Sequence, residues 1–234
     1  MQFVIDSNMQ FPMARIQMGG GETALISRGS MVYRSAGVEL NAKLNASGEG
    51  LGKFVKAVAR SAVSGESMFI TQVVCNAPGG EVAIAPSCPG TICRLDVGAN
   101  QYRLNDSAFL AMDSTVAYTL ERQSVGKALF GGQGGFFVMT TNGQGAMLVN
   151  AFGSITEMNL NNCPGFTIDN RHVVAWDRNL EYRIEMQSGF FGSIGTGEGV
   201  VNTFHGTGKV LIQSLNLETF AAALVPFLPS QSSR

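Results

Sequence analysis

Short runs of apolar residues, separated by turns rich in Gly, Asn and Asp, recur along nearly the whole chain. Apolar runs or alternating segments of this length, bounded by turn residues, predict β-strands. A strand-like lead-in, Phe3-Val4-Ile5, closes at Pro12. From Ala14 onward the pattern stays β: Ile16 to Met18, the turn Gly19-Gly20-Gly21, then Thr23 to Ile26. Two stretches depart from it. Leu51, Phe54, Val55, Val58, Ala59 and Ala62 recur at helical spacing and predict a short amphipathic helix, with Lys53, Lys56 and Arg60 off its apolar face. Leu217 to Leu228, limited by Pro226, predicts a short C-terminal helix that caps the β body.

The pattern repeats. Tyr102 to Glu121 aligns without a gap on Phe166 to Glu185, an offset of about 64 residues. The pairs Ala111/Ala175, Asp113/Asp177, Tyr118/Tyr182 and Glu121/Glu185 are identical. A more diverged copy is found by laying residues 24–34 on Ala108 to Tyr118, which makes Gly29 the counterpart of Asp113. The second half of the unit recurs as Met68 to Ile92, Phe136 to Ile155 and Val200 to Leu215. Each reads as two apolar strands around a Gly-rich turn: Ala77-Pro78-Gly79-Gly80, Asn142-Gly143-Gln144-Gly145 and His205-Gly206-Thr207-Gly208. Asn-Gly between apolar runs is a strong hairpin signal, so these are expected to be hairpins. A Gly-rich loop that cradles phosphate sits between a strand and a helix, which these do not. The expected architecture is a single all-β domain of three repeated units, about 14–92, 93–155 and 156–216, packed with pseudo-threefold symmetry, with the C-terminal helix at about 217–228.

Composition narrows the function. Apolar residues make up 45% of the chain, ample for a core, and charged residues only 14%. A net charge of -1 gives no global attraction to nucleic acid or to anionic membrane. The spacing of Cys75, Cys88, Cys93 and Cys163 matches no zinc site or redox dithiol. Buried free thiols are expected, with a Cys88–Cys93 disulfide the alternative. The N-terminus lacks the pattern of a secretory signal, and no apolar stretch approaches the roughly 18 residues of a membrane span. A cytoplasmic location is the expectation.

Candidate chemistry is sparse. His172 could meet Asp169 and Asp177, but within one strand Asp169 and His172 would fall on opposite faces. His205 is expected in a turn. Asp113 and Asp177 follow apolar strands and precede turn residues, where a carboxylate caps backbone N–H groups. A paired-carboxylate hydrolase would need symmetry to bring them together. No Ser-His-Asp or Cys-His arrangement has motif support, so no catalytic residue, metal site or cofactor is expected.

Taken in order, the motifs GETALISRGSMVYRS, GESMFI, GGEVAIAPSCPGTI, GQGGFFV, GQGAMLVNAFGSI, GEGVV and HGTGKVLIQS resemble the Aim twenty-four family, named for altered inheritance of mitochondria. The resemblance runs from about residue 14 to 225 and implies an internally repeated all-β fold of the kind grouped with the tryptophan-RNA-binding attenuator protein. No catalytic residues are established for that family. Its mitochondrial members are linked to inner-membrane organisation. This chain lacks an Arg-rich transit peptide and resembles the bacterial members. Fold does not carry function. RNA readers interleave exposed aromatics with basic residues, which this chain does not, so nucleic acid is not an expected partner.

The most suggestive feature is an excursion in each unit, after the Tyr-bearing strand: Asn41 to Gly65, Ser124 to Phe130, and Ser188 to Ile194. Under threefold symmetry all three leave the same end of the body. Phe54, Val55, Leu129, Phe130, Phe190 and Phe191 would form an apolar patch, rimmed by Lys53, Lys56, Arg60 and Lys127. Such a patch suits a protein partner, another copy of the chain or a membrane surface. The expected function is a non-enzymatic scaffold or binding protein that forms homo-oligomers. The alternative is a small-ligand binder or enzyme that uses a cavity in the β body.

Overall fold

The computed structural model describes residues 1–6, 8–43, 70–105, 107–123, 136–186 and 199–228. They form an all-β body with one short C-terminal helix. The first unit contains β1 (Gln2–Ile5), β2 (Ala14–Met18), β3 (Thr23–Ser27), β4 (Met31–Arg34), β5 (Val38–Lys43), β6 (Ile70–Cys75) and β7 (Gly80–Ile84). The second contains β8 (Ile92–Val97), β9 (Tyr102–Leu104), β10 (Phe109–Asp113), β11 (Val116–Gln123), β12 (Phe136–Gly143) and β13 (Gly145–Asn150). The third has β14 (Ile155–Asp169), β15 (Val173–Asp177), β16 (Glu181–Met186) and β17 (Val200–Gln213). Helix α1 (Leu217–Leu224) follows, and Val225–Phe227 makes a 3₁₀ turn. The amphipathic helix expected at 51–62 lies outside the described residues.

The sheet pairing exposes the repeat. In unit two, β13 pairs with β8 and β10, and β12 pairs with β9 and β11. In unit one, β7 pairs with β2 and β4, and β6 with β3 and β5. In unit three the long strands each serve twice. The second half of β17 pairs with β15 and the start of β14, and its first half with β16 and the end of β14. A one-residue irregularity recurs at the same place. It falls between Met31 and Tyr33, between Phe109 and Ala111, and between Val173 and Ala175. A bulge at a fixed position pins the register of an otherwise featureless apolar strand.

This register corrects the alignment of the first unit. Tyr33 stands where Ala111 and Ala175 stand, so β4 is the counterpart of β10, and β3 of β9. The counterpart of Asp113 is therefore Ser35, not Gly29. Apolar strands without shared polar residues match equally well at several offsets, and unit one shares neither the aspartate nor its neighbours.

The Gly-rich turns are not hairpins. β6 and β7 lie in different sheets, as do β12 and β13. Gly79 and Gly143, with φ of 77° and 101°, turn the chain from one sheet into the next, while Gly206, with φ of 103°, lies within the continuous strand β17. Gly80, Gly145 and Gly208 follow, where a side chain would strike a neighbour. An added Cβ would lie 2.3 Å from Cys75 Sγ, 2.8 Å from Asp113 Cβ and 2.9 Å from Leu180 Cγ, respectively. The hairpins are instead β5–β6, β11–β12 and β16–β17.

Two equivalent ladders join the units: β3 to β10, and β9 to β15. The first creates a six-stranded sheet, β5-β6-β3-β10-β13-β8, and the second a seven-stranded sheet continuing to β14. One core cluster runs from unit one into β8, β10 and β13, including Ile16, Ile26, Leu110 and Leu148. A second joins unit two to β15 and β17 through Leu104, Met112, Met139 and Val174. A third, around Trp176, Leu180 and Phe204, stays within unit three apart from Val138. Among the described residues, no ladder joins β4 to β14, the pair that would complete a threefold set.

Candidate interaction surface

The residues expected to form the interaction surface, Phe54, Val55, Leu129, Phe130, Phe190, Phe191, Lys53, Lys56, Arg60 and Lys127, lie outside the described residues. The described chain shows how their segments are attached. Each excursion is the connection of one of the three equivalent hairpins, whose terminal pairs are Lys43–Ile70, Gln123–Phe136 and Met186–Val200.

Among the described residues, the main apolar exposure is at the C-terminus. Asn216 caps α1 by accepting the Thr219 N–H at 2.8 Å. Its amide nitrogen meets His172 Nε2 at 3.0 Å, and His172 Nδ1 meets the Gln213 carbonyl at 2.7 Å. A carbonyl can only accept, so Nδ1 carries the proton and Nε2 accepts from Asn216. Arg171 pairs with Asp169 at 2.5 Å and reaches Glu218 at 3.4 Å. These contacts hold the start of the helix. Beyond them the expected cap is only partial. No residue of α1 is buried, and its ring contact with the body is Phe220, edge-on to Phe152 at 5.2 Å. Leu217, Leu224, Val225, Phe227 and Leu228 all stand exposed.

Under the helix lies a cleft of about 450 Å³, lined among others by Cys88, Asn105, Phe152, Asn170 and Leu217. Asn105 is buried there, and its Nδ2 donates to the Asn170 carbonyl at 2.8 Å. Among the described residues its Oδ1 has no partner. A second cleft, about 560 Å³, gathers Arg103, Arg178, Arg183 and His205 around Tyr182. The Arg103 guanidinium lies 5.1 Å from the Tyr182 ring centroid. Sequence reasoning missed this grouping, because residues far apart in the chain meet only through the β9–β15 and β16–β17 pairings.

The candidate catalytic groups are occupied elsewhere. Asp113 Oδ2 accepts the Ala146 N–H at 2.5 Å, and Asp177 Oδ2 accepts the Lys209 N–H at 2.8 Å. In unit one the Ser35 hydroxyl accepts the equivalent Glu81 N–H at 2.9 Å. The carboxylates therefore cap backbone, as expected. Asp169 and His172 do not share a strand. A 3₁₀ turn at Asn170–His172 separates Asp169 from the strand that follows, and Asp169 caps it. His205 lies in β17, not in a turn, with its Nδ1 2.6 Å from the Pro164 carbonyl. All four cysteines are free, and Cys75 is the buried one. Burial raises the Cys93 thiol pKa, away from the thiolate form. Among the described residues no His/Cys/Asp/Glu group could hold a metal, and no helix is long and apolar enough to cross a membrane.

The comparisons agree with this fold. Over residues 3–215 the chain matches the family described as Mitochondrial biogenesis AIM24. It is 55% identical over 233 residues to Uncharacterized protein M6_Spy0233 of Streptococcus pyogenes serotype M6, covering 100% of this chain and 93% of that relative. It also resembles the crystal structure of protein SPYM3_0169 from Streptococcus pyogenes, with a TM-score of 0.82 and 52% identity over 97% of this chain and 99% of that one. The chain belongs to the AIM24 family.

Proposed function

We propose that this protein is a non-enzymatic scaffold or binding protein that self-associates and meets a protein or membrane surface through apolar side chains held outside its β body. One observation carries this reading. The chain buries Trp176, Phe109 and Phe204 completely, yet leaves Leu217, Leu224, Val225, Phe227 and Leu228 in water on one short segment. A contiguous exposed apolar patch marks an interaction site. The excursion residues, from Phe54 and Phe130 to Phe191, would extend the same chemistry. The commitment of Asp113 and Asp177 to backbone caps supports the non-enzymatic part.

Light scattering and co-sedimentation with phosphatidylglycerol vesicles test it, comparing wild type with Leu224→Asp/Phe227→Asp. The expected result is an oligomeric or vesicle-bound wild type and a folded variant that has lost one of these properties. A wild type that is monomeric and ignores vesicles overturns the reading.

A second reading, small-ligand binding, rests on the 450 Å³ cleft and the unpaired buried oxygen of Asn105. A thermal-shift screen and elemental analysis test it. Raised Tm with a bound compound, lost in Asn105→Leu, would favour it.

A further inference from the structure

We propose that copies of this chain join head to tail, β4 of one copy pairing with Phe166–Ile168 of β14 in the next. This rests on the self-association reading above and assigns it a surface.

The repeat supplies the argument. In the chain each unit lends a strand to the next: β3 pairs with β10, and β9 pairs with β15. The last unit's donor, the end of β14, pairs only with β17. The first unit's acceptor, β4, pairs only with β7. Among the described residues these two edges are thus complementary and unpaired, and such edges template pairing with another chain.

Side chains tell the same story. Phe109, Leu110 and Ala111 on β10 are 2%, 1% and 0% exposed, and Val173, Val174 and Ala175 on β15 are 3%, 1% and 1% exposed. Their counterparts on β4, Met31, Val32 and Tyr33, are 39%, 50% and 43% exposed. Phe166, on the donor edge, is also exposed. β4 has the apolar sequence of an interior strand at a position that, among the described residues, lacks the second neighbour.

The register follows from the two existing ladders. Ala111 faces Ile26 and Met112 faces Leu25; Ala175 faces Leu104 and Trp176 faces Arg103. Carried to the open ends, Tyr33 faces Ile168, Arg34 faces Thr167 and Ser35 faces Phe166 of the next copy. Pro164 and the irregularities at Leu160/Cys163 and Cys163/Phe166 limit the pairing on the far side. The intermolecular sheet, β16-β17-β14 continued by β4-β7-β2-β1 of the neighbour, reproduces the strand order of the two internal sheets. The contact is heterologous, so it closes into a ring or continues as a filament.

Two variants test it by mixing. Val32→Asp/Tyr33→Lys blocks β4, and Phe166→Asp/Thr167→Asp blocks the end of β14. Each is expected to retain the wild-type circular dichroism spectrum, because every replaced side chain is exposed or strand-edge. Each alone should sediment as one chain of 24.8 kDa. Mixed, they should give a complex of about twice that mass and nothing larger, since one intact β4 and one intact β14 edge remain. An oligomeric wild type whose variants also stay oligomeric sinks the edge assignment and leaves self-association standing. A monomeric wild type sinks both. If the β14 variant alone still dimerises, the contact is β4 to β4 and the head-to-tail proposal fails. As a register check, Thr167→Arg sets two arginines opposite each other and should weaken assembly about two- to fivefold, and Arg34→Glu in the same chain should restore it. Restoration by Arg34→Glu rules out a mere folding defect, and its failure overturns the register.

Discussion

Asp113 and Asp177 sit on successive repeats and do one job: each carboxylate takes the backbone N–H of the residue after an equivalent glycine, Ala146 after Gly145 and Lys209 after Gly208. Removing the acceptor strands a backbone donor, at a cost of about 1–3 kcal/mol. Asp177→Ala should therefore lower the denaturant midpoint, while Asp177→Ser, the device unit one uses at Ser35, should recover part of the loss. Gly145 lies beside Asp113 with φ of 148°, and a Cβ there would come within 2.8 Å of Asp113 Cβ. Gly145→Ala should be more damaging than the usual Gly-to-Ala change, which chemical denaturation would show. The tyrosines add a pH dependence. Burial, the largest cause, raises Tyr102 and Tyr182 above their ordinary pKa of 10.0. Above pH 10 the unfolded chain releases these protons first, so stability is whole below that pH and falls as pH rises through the folded values. Melts between pH 9 and 11 should show the fall, and Tyr182→Phe should flatten part of it. The backbone-capping role of the aspartates was legible in sequence, because Asp after an apolar run and before polar turn residues has few other uses. The Arg103–Tyr182 stacking was not, because nothing local links β9 to β16.

At the scale of elements, identical residues made units two and three readable and their absence hid unit one. Asp113 and Asp177 fix an offset, whereas Ser35 performs the same task with a different residue. The Gly-rich turns misled for a related reason. Asn142-Gly143 has the sequence of a hairpin turn, but a positive φ serves a sheet-to-sheet crossing equally well, and β12 pairs with β11 and β9, not with β13. Helix α1 was predicted correctly from its composition, but its relation to the body was not. Capping needs buried side chains, and α1 has none. Deleting residues 217–228 should therefore leave the β body folded, with Tm lower by a few degrees at most, since the loss is chiefly Phe220 against Phe152 and the Arg171–Glu218 contact. A collapse of the β spectrum on deletion would mean that the helix is part of the core.

For the whole molecule, the decisive fact is that, among the described residues, its interior strands are bracketed and its terminal ones are not. β10 and β15 hydrogen-bond on both edges and are buried on both faces, so their amides open only when two units separate. β4 and Phe166–Thr167 have one bonded edge and side chains in water, so they should open locally at small cost. Amide exchange on dilute protein should rank β10 and β15 slowest, with β4 and the end of β14 orders of magnitude faster despite an equivalent place in the repeat. The contrast is thermodynamic: it reflects a missing neighbour, because the β4 sequence Met-Val-Tyr-Arg is as suited to a strand as Phe-Leu-Ala-Met is. Raising the protein concentration supplies the neighbour. Protection should then rise at β4 and at the end of β14 together, by the same factor, while β10 and β15 stay unchanged. Protection gained at α1 alone would place the contact between copies on the helix and leave the two edges unpaired.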